Sequence, residues 1–307
     1  DAGAVAANSA RILFWGWVAA GVLWAALRSP AEEGEWGTAP VVRLGITEVA
    51  TMLALLDALF LAFVAVQFRY LFGGQAWVSA SGEIGWGEYA RRGFFELVAV
   101  AALVLPVLLA LHALLGVAGR REQRVFRVLA GTLVALLFVV MASAMERMRL
   151  YQAAYGLTEL RLYTSVFMGW LALVFLWLGA TVLRGRPERF PRGAVLAGFA
   201  TVITLNLLDP DARIARVNLA RGGETGDLDA AYLATLGPDA APVLARAYPG
   251  LAEQDRCAVR HALERWERRR DDWRSWNWSR SRAKGIARRG QWVVPGTACP
   301  VVRAPGR

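Results

Sequence analysis

Histidine, cysteine and lysine are nearly missing from this chain of 307 residues. The two histidines, His112 and His261, lie far apart, and the two cysteines, Cys257 and Cys299, both fall in the polar C-terminal part. None of them is grouped at metal-ligand spacing, so no zinc or haem centre and no metal site is expected. Also missing are a Gly-rich phosphate loop, a Ser/His/Asp set and a pair of carboxylates at catalytic spacing, and no cofactor is expected. Lysine occurs once, at Lys284, so the formal charge of +10 is carried by arginine. No nucleic-acid-binding motif accompanies that charge. The partners it implies are membrane lipids with anionic headgroups, and no nucleic acid. The chain starts at Asp1 with neither Met nor a signal-peptide pattern, and an upstream part is expected.

Apolar residues, in contrast, are in excess: 56% of the chain, with a mean hydropathy of +0.36. They come in runs of the length that crosses a hydrocarbon core about 30 Å thick. Six spans are read, at 10–27, 46–70, 94–115, 125–145, 163–183 and 193–208. In lipid every backbone group must be satisfied within its own segment, so these runs predict helices. Trp15, Trp17, Trp24, Trp170 and Trp177 lie in or at the ends of spans, where an aromatic belt sits. The fold class is therefore all-α: a polytopic membrane bundle of about six transmembrane helices with a C-terminal helical domain. Its parts are 1–209 for the bundle, 210–283 for a solenoid-like extramembrane domain, and 284–307 for an extended tail.

Arginine sets the expected orientation. Ten arginines flank the loops after spans one, three and five, against seven on the opposite side. The richer side is read as cytoplasmic, which puts the C-terminal domain outside the cytoplasm. In such a compartment Cys257 and Cys299 either pair or remain two thiols, and both outcomes stay open.

The C-terminal domain carries two helix starts of one pattern, Asp209-Pro210-Asp211-Ala212 and Gly237-Pro238-Asp239-Ala240. The first has Asp209 as the expected cap, proline at the first helical position and an acid in the first turn. A third helix is predicted from about Gln254 to Arg270, with Val259, Leu263, Trp266 and Trp273 on one face and Trp276 and Trp278 beyond. That stripe either packs on neighbouring helices or lies on a membrane surface. After Lys284 the composition predicts an irregular tail that needs a partner surface to become ordered.

Two places carry candidate chemistry. Asp57 sits in the middle of span two with no Lys, Arg or His at its depth. A carboxylate there costs at least about 2.5–3.5 kcal/mol, so it is expected to face other helices and to be neutral. It is either a proton or cation relay or a neutral acid hydrogen-bonded between helices. Its candidate partners are Thr132, Thr201 and Thr204 at similar depth and the backbone carbonyls that Pro106 in span three leaves unpaired. The second place is a group of polar residues at the span ends on the side of the C-terminal domain: Arg69, Tyr70, Glu88, Arg91, Arg92, Glu96, Glu146, Arg147, Arg149, Tyr155, Glu159 and Arg161. They make either an anion or lipid-headgroup site or a salt-bridge network that fixes helix registry. Within it, 146–163 is read as a short helix on the membrane surface, broken at Gly156 and restarted at Thr158-Glu159.

The stretches Gln67-Phe68-Arg69-Tyr70-Leu71-Phe72-Gly73-Gly74, Tyr89-Ala90-Arg91-Arg92-Gly93-Phe94-Phe95-Glu96-Leu97 and Arg147-Met148-Arg149-Leu150-Tyr151 through Tyr155-Gly156-Leu157-Thr158-Glu159-Leu160-Arg161 resemble a family. So do 209–218 and Leu228-Asp229-Ala230-Ala231-Tyr232-Leu233. It is a bacterial polytopic membrane family known only as a domain of unknown function, of the 4153/4173 type. The resemblance covers most of 45–245. It implies a protein of the bacterial cytoplasmic membrane, often with more helices upstream, and it implies no activity. Function stays open between three classes. The first is a non-enzymatic membrane component: a scaffold, a sensor, or an accessory subunit whose C-terminal domain and tail bind a protein partner. The second is a transporter using Asp57, and the third an envelope enzyme or lipid-binding protein using the Arg/Glu/Tyr group.

Overall fold

A computed structural model describes residues 44–72, 94–115, 119–268, 276–290 and 299. Among these residues the structure is helical, without strands. Five helices among the described residues are long and apolar enough to cross a membrane. They are α1 (Ile46–Phe72), α2 (Phe94–Leu115), α3 (Arg120–Tyr155), α4 (Glu159–Ala180) and α5 (Phe190–Leu207). They match the second to sixth expected spans, while 10–27, with Trp15, Trp17 and Trp24, lies outside the described residues.

The long helices divide their surface as membrane helices do. On α3 the buried residues Phe126, Ala130, Leu133, Leu137, Val140 and Ala144 recur every three or four positions. Ala101, Val104, Leu108 and Leu111 on α2, and Met168, Leu171, Val174 and Leu178 on α4, repeat that seam. This 3.5-residue period makes a continuous strip for a neighbouring helix. The remaining faces are apolar and exposed, for example Leu55, Leu59, Leu103 and Leu196 at 58% exposure or more. Exposed leucines of this kind suit lipid tails. Pro106 stays inside α2.

The described residues fall into two compact units: those within 1–148 and 165–202, and those within 149–164 and 203–307. The second takes in the stretch where α3 ends and α4 begins. Its other helices are α6 (Pro210–Thr225), α7 (Ala230–Thr235), α8 (Ala241–Ala247), α9 (Glu253–Arg268) and α10 (Trp278–Arg289). One core joins them, with Leu157, Ile214, Leu233, Leu244, Tyr248, Val259 and Leu263 all under 5% exposed.

Several expectations change here. No separate surface helix occupies 146–163. Helix α3 runs on to Tyr155, because nothing between Met145 and Gly156 breaks it, and α4 starts at Glu159. Asp209 precedes α6 in the left-handed region, φ 46°, and its side chain makes no cap hydrogen bond. Asp211 is the acid at work: its Oδ2 accepts the N–H of Gly237 at 3.2 Å, tying the two Pro-Asp-Ala starts together. The second start is a 3-10 turn, Pro238–Ala240, that leads into α8. Val259, Leu263 and Trp266 pack into the core, whereas Trp276 and Trp278 are exposed, and Trp273 lies outside the described residues. The chain past Lys284 is not yet irregular: α10 continues to Arg289 because Asn277 caps its start and Ala283 and Ala287 bury its inner face. It ends at Gly290, φ 60°. Cys257 on α9 and Cys299 are joined as a disulfide, Cα–Cα 5.3 Å.

Candidate functional site

Gly156, Leu157 and Thr158 form the turn between α3 and α4, and the C-terminal helices hold it in a clasp. Gly156 adopts φ 74°, a conformation that only glycine takes at little cost. The turn leaves the backbone N–H and C=O of Leu157 without helical partners. Asn218 on α6 satisfies both, with its Oδ1 accepting the Leu157 N–H at 2.7 Å and its Nδ2 donating to the Leu157 carbonyl at 2.7 Å. Asparagine is suited to this because its amide carries a donor and an acceptor side by side. The Leu157 side chain meanwhile inserts into the core, 4% exposed.

Three further side chains complete the clasp. Arg161 donates through Nη1 to the carbonyls of Tyr155 at 3.1 Å and Gly156 at 2.5 Å. Its guanidinium also lies over the Tyr151 ring, 4.1 Å from the centroid. Arg221 donates to the Ala154 carbonyl at 3.0 Å. The last carbonyls of α3 are orphans of the helix end, and charged donors satisfy them well. At the start of α4, the Glu159 N–H donates to the Tyr232 hydroxyl at 3.0 Å. Burial holds the Tyr232 phenol above its ordinary range.

Beside the clasp, Asp211 is held above the usual carboxylate range. Burial is the largest cause, followed by the charges of Glu159 and Asp239, with the Gly237 N–H acting the other way. A carboxylate raised on folding adds most stability below its unfolded pKa and loses it as pH rises through the folded value. Asp211→Asn keeps an acceptor for Gly237 and removes the charge. It should raise the melting temperature of the detergent-solubilised chain at neutral pH, with the gain fading as the pH falls through the raised folded value and gone below about 3.9, the ordinary aspartate value. A scan of melting temperature against pH for both proteins measures this.

Of the expected site residues, the structure brings Tyr155, Glu159 and Arg161 together with Tyr151. Glu146 and Arg149 lie on α3 on either side of the unit boundary. Glu88, Arg91, Arg92 and the side chains of Arg69, Tyr70 and Glu96 lie outside the described residues. Asp57 has both carboxylate oxygens shut off from solvent, and they meet no hydrogen-bond donor among the described residues. Among those residues no group of His, Cys, Asp or Glu is spaced to hold a metal ion. Asn218, Arg221 and Tyr232 were not singled out from the sequence. Asn218 and Tyr232 lie within stretches that carry the family resemblance, but a lone polar residue on an amphipathic helix reads as surface until its partner in space is known.

Comparison with the curated proteins and with the solved structures finds no match. The sequence model of one family, described as a domain of unknown function (DUF4153), matches residues 3–247. That match contains every residue of the clasp, from Ala154 to Tyr232, and with it the chain belongs to the DUF4153 family.

Proposed function

We propose that the chain is a non-enzymatic membrane component, a scaffold or accessory subunit, whose C-terminal helical module binds a protein partner. One observation carries this: polar groups in and around the family-like stretch 155–161 brace the turn and tie it to α6 and α7. Asn218, Arg161, Arg221 and Tyr232 each hold backbone of this same chain. A residue set used in this way builds a rigid platform, which is what a docking module needs. The two Pro-Asp-Ala starts, tied through Asp211 and Gly237, support a solenoid-like stacking of the module.

The test is site-specific photo-crosslinking in native membranes from Val217, which is 40% exposed beside the clasp residue. A discrete protein adduct that disappears in Asn218→Ala supports the docking module. A proton or cation relay through Asp57 is favoured instead by its two buried, unpartnered carboxylate oxygens. Full chain in proteoliposomes separates the two readings. Flux driven by a membrane potential and abolished by Asp57→Asn overturns the scaffold, whereas no flux in either protein sets the relay aside.

The module is proposed to face away from the cytoplasm of a bacterium. The arginine bias of the loops supports this, and so does the Cys257–Cys299 disulfide, which oxidising compartments maintain. Gly223→Cys tests it, since an added Cβ there meets nothing within 4 Å. The native cysteines are paired, so a membrane-impermeant maleimide on intact cells should label this variant and leave the unmodified protein unlabelled. Labelling only after permeabilisation reverses the orientation.

A further inference from the structure

From the start of α3 we infer a binding site for the phosphate of an anionic phospholipid. Arg120, Gln123, Arg124, Arg127 and Val128 line a cavity of about 500 Å³. Their spacing of three and four places them on one helix face. Four arginines and one glutamate fall within 120–128, and the glutamate is occupied: Glu122 Oε2 accepts the Gly119 N–H at 2.8 Å. Arg120 and Arg124 have no acidic partner among the described residues, and Arg127 uses Nε on the Gln123 carbonyl at 3.2 Å. The helix end is already capped by Glu122, so the site rests on the arginines and not on the helix terminus.

Length explains why the ligand is a lipid. Residues 128–145 contain no charged side chain. At 1.5 Å per residue they span about 27 Å, close to the hydrocarbon thickness. Arg127 is the last charge before that stretch, and Val128, 62% exposed, is its first apolar residue. A cavity with arginines on one side and an exposed valine on the other therefore straddles the level where headgroup phosphates meet acyl chains. Guanidinium groups suit phosphate because their planar donors match its oxygens. These residues are separate from the clasp and from the Arg/Glu/Tyr group, and the inference does not depend on the scaffold role.

The experiment is native mass spectrometry of the full chain released from nanodiscs of equal phosphatidylglycerol and phosphatidylcholine. The protein should retain phosphatidylglycerol in preference. Arg120→Gln with Arg124→Gln should reduce that preference by about 30-fold, from about 1 kcal/mol per arginine at an anionic surface. Glutamine keeps helix propensity, and an unchanged circular dichroism spectrum shows that the variant folds. Arg213→Gln with Arg216→Gln, an equal charge loss on α6, should leave the preference unchanged. Equal retention of the two lipids, or a preference untouched by the α3 pair, overturns the proposal. Removal of the bound lipid by millimolar inorganic phosphate overturns the lipid as the source of the phosphate.

Discussion

Gly156→Ala lowers the unfolding free energy of the chain by about 2–5 kcal/mol and shows as a clear drop in melting temperature of the detergent-solubilised protein. Two costs add. The φ of 74° places any other residue in the left-handed region, at roughly 1–2 kcal/mol for alanine. The new methyl would also meet Asn218 Oδ1 at 2.5 Å, so the asparagine must withdraw from Leu157. That leaves buried backbone groups unsatisfied, at about 1–3 kcal/mol. A loss under about 0.5 kcal/mol, the range of ordinary surface substitutions, would show that the clasp is not holding the turn.

Asn218→Ala removes the same two hydrogen bonds from the other side and should cost about 2–4 kcal/mol, since both the N–H and the C=O of Leu157 lose their partner. Asn218→Asp separates the two halves of the contact. The carboxylate still accepts from the Leu157 N–H, but it turns a second oxygen toward the Leu157 carbonyl. Aspartate should therefore destabilise despite its equal size. The decisive measurement is the double variant Gly156→Ala with Asn218→Ala. Both changes disrupt one contact, so the combined loss should fall short of the sum of the single losses by 0.5 kcal/mol or more, about the coupling seen for residues in contact. Strict additivity would mean that the glycine and the asparagine act independently.

The long helices were legible because length and hydropathy are properties of contiguous sequence. Their observed ends differ from the expected spans by a few residues in most cases. The large difference is α3, which extends ten residues past the expected end at 145. Glu146, Arg147 and Arg149 made that stretch look like a departure from the helix. Polar residues end a membrane span without ending a helix, and only Gly156 stops the winding. The helix start at Pro210 was also legible, but the role of its two acids was not. Asp209 matched the local rule for a cap, whereas Asp211 answers to Gly237, 26 residues further on. Gly156 was seen as a break from its residue type alone. Its lock was invisible, because Asn218 is 61 residues away and no periodicity encodes that pairing. The start of the tail is not legible for a related reason: the two serines and the glycine in α10 are weak helix formers individually, and burial of Ala283 and Ala287 tips the balance.

Those 61 residues between Leu157 and Asn218 also impose an order on biosynthesis. When the turn leaves the ribosome, its partner has not been made. At about 5–20 residues per second, roughly 3–12 s pass before Asn218 is polymerised. In that interval α4 and α5 are synthesised, so the turn waits while two candidate spans enter the membrane. The clasp therefore closes only after both have been synthesised. A chain stopped short of Asn218 keeps its hydrophobic helices and leaves the N–H and C=O of Leu157 without the side chain that satisfies them.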